Sequence, residues 1–552
     1  LNQNLNNASV YLFFIKNTAK HLGNRIIIIK YGEFTMLVSL GVENFRSFKK
    51  KTNIELKPIT VFVGKNSSGK SSFLRLFPLF RQSIEANTTG PILWFGRYVD
   101  FGDFNKALYK QAKDKNIKFF FKFIIPPSSS LVYKSIIGDE KETQINIELI
   151  VGSDQKKTKY KSINISFNNI KVSITNNDEK GIDYSFYENG NKMFEKTFPD
   201  LKLEKLYRSF ILPYVNYSIS TIGNNHTLLI QKYAFGGIIE LISFNEKVEK
   251  KLIKYFSPNP EMELIHNFVR NLKLDMLEKD SFLDSLKKSF LNNKTFIENL
   301  NNNYDQIYED IFPSLLFSKI NSILTEINYN LNETFSKIRY IAPIRAIAER
   351  FYRFQDLQIN EMDHTGSNVA MILNSLTQKE KNAFTAWVKK NFNFSISVEE
   401  SGLHYTINII DEDNITYNIS DMGFGYSQLL PIIMSLWLET EKLTHRRNNE
   451  LFFVIEQPEL HLHPAYQTQL AKLFVNIIAK APKKLKIKII VETHSQHFIN
   501  ALGECVEKGK ISKDDLSIII FNKENTETDI QTAYFDEEGT LENWPIGFFS
   551  GE

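Results

Sequence analysis

Residues 37–43 (Leu-Val-Ser-Leu-Gly-Val-Glu) alternate apolar and polar positions, the period of a half-buried strand. After Asn44-Phe45-Arg46-Ser47-Phe48, residues 54–63 pass from a polar strand into the apolar run Ile59-Thr60-Val61-Phe62-Val63, as expected of a strand covered on both faces. A glycine-rich loop follows, and then a helix is predicted from about Ser71 to Ala86. From about 117 to 200 the runs Phe119-Phe120-Phe121, Ile145–Val151, Ile163–Phe167, Val172–Thr175 and Tyr184–Tyr187 are punctuated by Asn, Asp, Gly and Lys, which predicts a β region. Residues 245–337 read as helical, with polar breaks such as Asn301-Asn302-Asn303. The spacing of Ile311, Leu315, Leu316, Ile320, Ile323 and Leu324 predicts an amphipathic helix, without the sustained heptads of an extended coiled coil. The β pattern returns at 395–419, and β and α segments alternate over 420–522. There is no internal repeat and no long disordered linker.

This order predicts an α/β fold interrupted by a long insertion. Four segments are expected: a leader over 1–35, a first catalytic-domain part over 36–116, an inserted β and helical region over 117–337, and a second catalytic-domain part over 338–552. Met36 stands just before the first clear strand, so residues 1–35 are expected to precede the natural domain. The longest apolar runs, such as Ile26–Ile29, fall far short of the roughly 20 residues that cross a bilayer. The N-terminus has no apolar stretch followed by a small-residue cleavage site, so no signal peptide is expected.

Composition changes this picture little. With 42% hydrophobic and 24% charged residues, the chain has the make-up of an ordinary soluble protein with room for a large core. Its one cysteine, Cys505, excludes an internal disulfide and a CxxC zinc site, and fits a reducing cytoplasm. A net charge of +4 gives no global basic field for nucleic acid. The short basic runs Lys49-Lys50-Lys51, Lys156-Lys157 and Lys483-Lys484 are expected to be solvated faces.

Four motifs carry chemistry. The run Gly64-Lys65-Asn66-Ser67-Ser68-Gly69-Lys70-Ser71 has the GxxxxGK[ST] spacing, after a predicted strand and before a predicted helix. Its glycines let backbone N–H groups curl around phosphate oxygens, and the helix N-terminus adds its positive dipole end. Lys70 is expected to reach the β- and γ-phosphates of ATP, and Ser71 to ligate Mg²⁺. The apolar run Leu451–Ile455 ends in Glu456-Gln457-Pro458-Glu459, the Walker B arrangement, in which Glu456 holds Mg²⁺ opposite the loop. A further strand ends in Ile490-Val491-Glu492-Thr493-His494-Ser495, with His494 placed 38 positions after Glu456. Finally, Ser420-Asp421-Met422-Gly423-Phe424-Gly425-Tyr426-Ser427-Gln428 leads into an apolar helix. It is either an anion site or an ordinary helix-capping loop.

The order of these motifs resembles the ABC-type ATPases, and the large insertion resembles the RecF, SMC and OLD branch. Phe62–Ser72, Asp421–Gln428, Glu456–Pro464 and Glu492–Ser495 are similar to bacterial AAA family ATPases of anti-phage systems, especially the ATPase subunit of septu-type defence, which also occurs beside retrons. Tyr340–Arg345 and Trp544–Phe549 add to the likeness. The resemblance covers about 37–105 and 338–550 and is thin over 106–337. It implies an ABC-type P-loop head that sandwiches nucleotide between two copies. The phosphates of ATP would meet Gly64, Lys65, Asn66, Ser67, Ser68, Gly69, Lys70, Ser71 and Ser72 of one copy. Gly425, Ser427 and Gln428 of the other copy would contact the γ-phosphate. His494 would act as the switch histidine. Gln82 and the Asp100–Phe104 segment are the candidates for the Q-loop, which adds Gln82 to Ser71 and Glu456 as a metal contact.

One departure bears on catalysis. Most ABC ATPases carry a catalytic Glu directly after the Mg²⁺ carboxylate; here that position is Gln457, whose amide cannot take a proton from water. Glu459, His463 or His494 would have to substitute, or hydrolysis is slow. The D-loop acid is also missing, with His461 and His463 nearby; a structural or nucleotide-contact role is expected of the pair, not a metal site. Only 58 residues follow His494 and there is no HNH pattern, so a nuclease is expected on a separate, HNH-type polypeptide. In a retron setting, the reverse transcriptase and its non-coding nucleic acid would be further partners. The alternatives are a RecF-like ATPase of DNA repair and a scaffold that holds nucleotide without hydrolysing it.

Overall fold

A computed structural model of the chain describes residues 36–552 apart from 87, 126–142, 156, 178–180, 200, 206–210, 218–247, 257–261, 272–278, 354–358, 360, 443–449, 483–484, 546–547 and 549–552. The expected leader 1–35, Lys156, the Lys483-Lys484 pair, and Ile546, Gly547 and Phe549 lie outside the described residues.

Strands β1 (Met36–Glu43), β2 (Thr52–Glu55) and β3 (Ile59–Gly64) come first, and β3 is buried at every position. Helices α1 (Lys70–Leu74) and α2 (Leu76–Glu85) follow. The sequence predicts one helix here, and the structure interrupts it at Arg75. Pro78 supplies the reason, because it has no N–H to donate to the Leu74 carbonyl four residues back. The helix restarts with the proline in its first turn, where the missing donor costs nothing.

Strands β4 (Ile117–Ile125), β5 (Thr143–Asp154), β6 (Lys157–Phe167), β7 (Ile170–Asn177), β8 (Gly181–Glu188) and β9 (Asn191–Phe198) make up the predicted β region. They join β1 and β2 in one antiparallel sheet of order β2-β1-β4-β5-β6-β7-β8-β9. The insertion therefore extends a sheet begun by the first segment, since β1 pairs directly with β4 across the boundary expected at 116/117. Alternation decides which face is covered: Phe119, Phe121, Ile145, Ile147, Ile163 and Ile165 are buried, and Asn146 and Asn164 point to the other face, where Phe120 is also largely covered. Phe80 of α2 seals this face, with ring centroids 5.2 Å from Phe119, 5.3 Å from Phe121 and 5.0 Å from Phe335.

After the hairpin β10 (Leu201–Glu204) and β11 (Tyr214–Tyr217), the insertion turns helical at Met262–Asn271, Lys279–Ser289 and α3 (Lys294–Ser336). α3 runs through the Asn-rich break predicted from sequence and marks it as a kink at Asn303 (φ −133°).

The second sheet begins with β12 (Ile338–Ile341). A small antiparallel sheet of β13 (Tyr352–Arg353), β14 (Ser395–Ser401), β15 (His404–Ile410) and β16 (Thr416–Asn418) intervenes. Then come α4 (Phe424–Trp437), β17 (Glu450–Glu456), α5 (Pro464–Lys480), β18 (Lys486–Glu492), α6 (Gln496–Glu507), β19 (Leu516–Glu524), β20 (Glu527–Phe535) and β21 (Leu541–Glu542). The sheet order is β12-β17-β18-β3-β19-β20-β21, and its first five strands are parallel. This is an α/β architecture with the glycine-rich loop at the end of its central parallel strand and a large inserted β and helical region. Parallel strands gather their carboxyl ends on one edge, and the glycine-rich loop, Glu456 and Glu492 all lie there. No helix among the described residues is long and apolar enough to cross a membrane.

Candidate nucleotide site

The loop between β3 and α1 needs glycine at both ends. Gly64 has φ +148°, and a Cβ there would lie 2.5 Å from the Phe521 carbonyl oxygen of β19. Gly69 has φ +103°, with Ser47 Oγ and Thr528 Oγ1 each 2.9 Å from where a Cβ would sit. Thr528 Oγ1 donates to the Ser68 carbonyl at 2.8 Å and so pins the loop to β20. Lys65, Asn66 and Ser67 form the exposed tip.

Lys70 is almost wholly buried, and its ammonium donates to the carbonyls of Gly64 (3.0 Å) and Lys65 (2.9 Å) inside the loop. Burial lowers its pKa, and the charge of Glu492, 3.9 Å away, opposes that. Ser71 Oγ donates to Glu492 Oε1 at 2.8 Å. Ser72 stands half-buried beside it. The strand-end carboxylate that meets the loop's lysine and serine is thus Glu492, not the predicted Glu456. Sheet order is the cause, because β18 lies next to β3 and β17 is one strand further away.

Glu456 is nevertheless part of the same cluster, since it stands opposite Glu492 in the β17–β18 register. Its two oxygens are gripped by Arg75 Nε and Nη2, both at 2.8 Å, and Tyr340 donates to Oε1 at 2.7 Å. The hydrogen bond to Glu456 raises the Arg75 pKa, and burial followed by the Glu456 charge raises that of Tyr340. Glu492 is pushed up to about 7, first by burial and then by the neighbouring Glu456 charge.

The oxygens of Ser71, Glu456 and Glu492 are the donor type of a hard cation. Glu492 Oε2 and Ser68 Oγ are buried without a hydrogen-bond partner, as suits a site made for a metal and phosphate. Among the described residues no group of three His, Cys, Asp or Glu could hold a metal alone. A Mg²⁺ here would take part of its shell from phosphate oxygens, as Mg²⁺ commonly does.

Gln457 takes a left-handed backbone (φ +44°), and its N–H donates to the Glu492 carbonyl at 2.8 Å. Arg345 Nη2 donates to the Glu456 carbonyl at 2.8 Å, and burial lowers the Arg345 pKa to about 10. Its Nε and Nη1 are buried without a partner. Glu459 Oε1 accepts from the His494 backbone N–H at 2.6 Å, and burial raises its pKa. His494 is exposed, and partial burial of its ring, followed by the Lys70 charge, lowers its pKa. His463 is engaged elsewhere, because its Nδ1 accepts from Ala465 N–H at 3.2 Å and caps α5.

Two predicted contacts need correction. Gln82 is buried, and its amide is fully used by the 93–99 loop. Nε2 donates to the carbonyls of Leu93 (2.7 Å) and Val99 (3.2 Å), and Oε1 accepts from Tyr98 and Val99 N–H, both at 3.1 Å. It clamps that loop and is not a metal ligand. Asp100 and Asp103 are likewise spent on local turns, accepting from Gly102 N–H and Lys106 N–H. At the start of α4, Ser427 and Gln428 are turned inward, and Ser427 Oγ donates to the Phe424 carbonyl at 2.8 Å. The exposed edge there is Gly423 and Phe424, with Gly425 half-buried against the His461 carbonyl oxygen, which would lie 3.2 Å from a Cβ.

Sequence reasoning missed Glu492, Arg75, Tyr340 and Arg345 as members of the site. Glu492 had a signal, since it ends an apolar strand as Glu456 does. Arg75 follows Ser71 by four residues, which sets it on the same helical face.

The family model of the AAA ATPase domain matches residues 36–499. No curated protein matches the chain. Among solved structures, the Smc head domain of Pyrococcus furiosus bound to the C-terminal domain of ScpA is 12% identical over 90% of this chain and 96% of that chain, with a TM-score of 0.34. The SMC head domain of Thermotoga maritima is 9% identical over 90% and 98%, with a TM-score of 0.31. The recombination mediator protein RecF is 10% identical over 91% and 99%, with a TM-score of 0.30. Likeness at these scores carries no functional argument. The family model is different in kind, because it runs from the first described strand into α6 and takes in the loop, both carboxylates and His494. The chain belongs to the AAA ATPase domain family.

Proposed function

We propose that this protein is a slow, Mg²⁺-dependent ATPase whose nucleotide acts chiefly as a latch between two copies. The observation that carries the reading is the Lys70 ammonium drawn into the Gly64–Lys70 loop beside Ser71 and Glu492, with an amide at Gln457. Lys70 would exchange its two carbonyl partners for the β- and γ-phosphates. Ser71 and Glu492, with Glu456 beside them, would hold the Mg²⁺, which neutralises phosphate charge. Gln457 can orient a water but cannot deprotonate it. The groups left for that task are Glu459 and His494, whose pKa is lowered by burial and by the Lys70 charge. Loss of a general base typically costs roughly 10²–10⁴-fold in rate, which leaves the closed state long-lived.

In the cell, the motif likeness to septu-type ATPases supports a sensor or regulator of an anti-phage complex whose nuclease is a separate subunit. In a retron setting, a reverse transcriptase and its nucleic acid would join it. ATP would hold the pair closed until a phage trigger opens it. The experiment is Mg²⁺-ATP turnover and light-scattering mass of purified protein, with Lys70→Ala as control. ATP-dependent dimer mass with turnover at or below about 1 per minute, both lost in the control, is expected. Fast turnover by a monomer overturns the latch. Phage plating on cells carrying the gene with its neighbours, again against Lys70→Ala, tests the defence role, and equal plaque counts reject it.

A further inference from the structure

The eight-stranded sheet keeps its core on one face, and its other face carries a polar row that the nucleotide site does not use. Ser39, Lys122, Asn146, Ser166, Lys171 and Tyr187 stand opposite one another across β1, β4, β5, β6, β7 and β8. With strands about 4.8 Å apart, this row is roughly 24 Å long, and it holds no acid. The next row has two, Glu148, to which Asn164 Nδ2 donates at 2.6 Å, and Glu195 at its far end on β9, which pairs with Lys192. Parts of both rows, with Lys51, line a cavity of about 270 Å³.

The charges here are unspent. Lys118 on the same face is paired with Glu43 at 2.7 Å, but Lys51, Lys122 and Lys171 have no carboxylate partner among the described residues. Two of them lie over aromatic rings: Lys51 Nζ is 4.2 Å from the Phe120 centroid and Lys171 Nζ is 5.8 Å from that of Tyr187. Asn164 lines the cavity, and its Oδ1 is buried and has no hydrogen-bond partner. The face therefore offers an anion three cations without a carboxylate partner, and a donor one orphaned acceptor.

We propose that this face binds a single strand of nucleic acid. Its phosphates would lie along Lys51, Lys122 and Lys171, and a base or sugar donor would satisfy Asn164. Lysines beside aromatic rings along one groove are the usual platform for an unpaired strand. The row is too long to be filled by one nucleotide, and a cavity of this size admits a base and sugar but not a duplex. The inference does not depend on the ATP latch, because none of these residues belongs to the nucleotide site.

The test is fluorescence anisotropy of the full chain with a labelled thymidine oligonucleotide of about 20 residues, without ATP, across a salt series. Each phosphate contact on a single strand contributes about 0.7 to the slope of log affinity against log salt. The triple variant Lys51→Ala, Lys122→Ala, Lys171→Ala should therefore lower that slope by about 2. Asn164→Asp should weaken binding at every salt concentration, and ATP binding should be unchanged in both variants. No binding by the wild-type chain overturns the proposal, as does a triple variant with the wild-type slope. So does displacement of the oligonucleotide by poly-glutamate or by thymidine monophosphate at the same charge concentration as unlabelled strand.

Discussion

Glu456 and Glu492 end neighbouring parallel strands, and their surroundings separate their roles. Glu456 is held by Arg75 and Tyr340, while Glu492 faces Ser71 and Lys70 with one oxygen unpaired. The raised pKa of Glu492, about 7, has a definite sign. Its charged form is penalised in the folded chain, so the penalty is absent below the ordinary carboxylate pKa, grows between there and 7, and is full above 7. The effect approaches about 3 kcal/mol at most. In urea melts of nucleotide-free protein, Glu492→Gln should gain stability over wild type at pH 8 and little at pH 5. Equal differences at both pH values would reject the assignment. The same variant should need a higher Mg²⁺ concentration to bind ATP. Arg75 makes the opposite case, because its removal leaves the buried Glu456 charge with only a tyrosine. Arg75→Ala should cost about 2 kcal/mol, less than a fully buried pair because Arg75 is partly exposed. Arg75→Lys should recover only part of it, since an ammonium cannot match the two-point grip. Equal urea midpoints for the three proteins would show the pair to be incidental.

At the scale of elements, the loop between β3 and α1 is set by backbone geometry. Gly69 at φ +103° lies against Ser47 and Thr528, so Gly69→Ala meets both left-handed strain and a clash. A loss of roughly 1–3 kcal/mol is expected, with ATP affinity falling together with stability, as calorimetry would show. The sequence made this loop legible, because glycine spacing, strand and helix are all local signals. It did not reveal the break in the following helix as a functional joint. Arg75 sits at that joint, where Pro78 stops the ladder, and its partner Glu456 is 381 positions away. The role assigned to Gln82 was mistaken for a similar reason, because the 93–99 loop that consumes its amide folds back only in three dimensions.

For the whole molecule, the question is what the edge of the parallel sheet presents to a second copy. Phe424 at the start of α4 is 53% exposed and lies over His461, their ring centroids 5.6 Å apart. Ile344 (83%) and Ile347 (68%) are exposed large apolar side chains in the segment that supplies Arg345 to the site. If ATP closes two copies over this edge, Phe424→Asp should abolish the nucleotide-dependent rise in mass and leave ATP binding by the monomer intact. Light scattering and equilibrium dialysis read these two quantities separately, and an unchanged dimer would move the interface elsewhere.

The sequence alone determined the α/β class, the position of the glycine-rich loop between strand and helix, the β and helical character of the insertion, and the strand that ends in Glu456. Each of these depends on residue type at short spacing. Only the tertiary structure decided which acid meets the loop, because that follows from β18 lying between β3 and β17. It also decided that Ser427 and Gln428 turn inward, and that the insertion continues the sheet of β1 with a cation-bearing face outward. Strand order and cross-strand register pair residues hundreds of positions apart, and no periodicity within one segment encodes them.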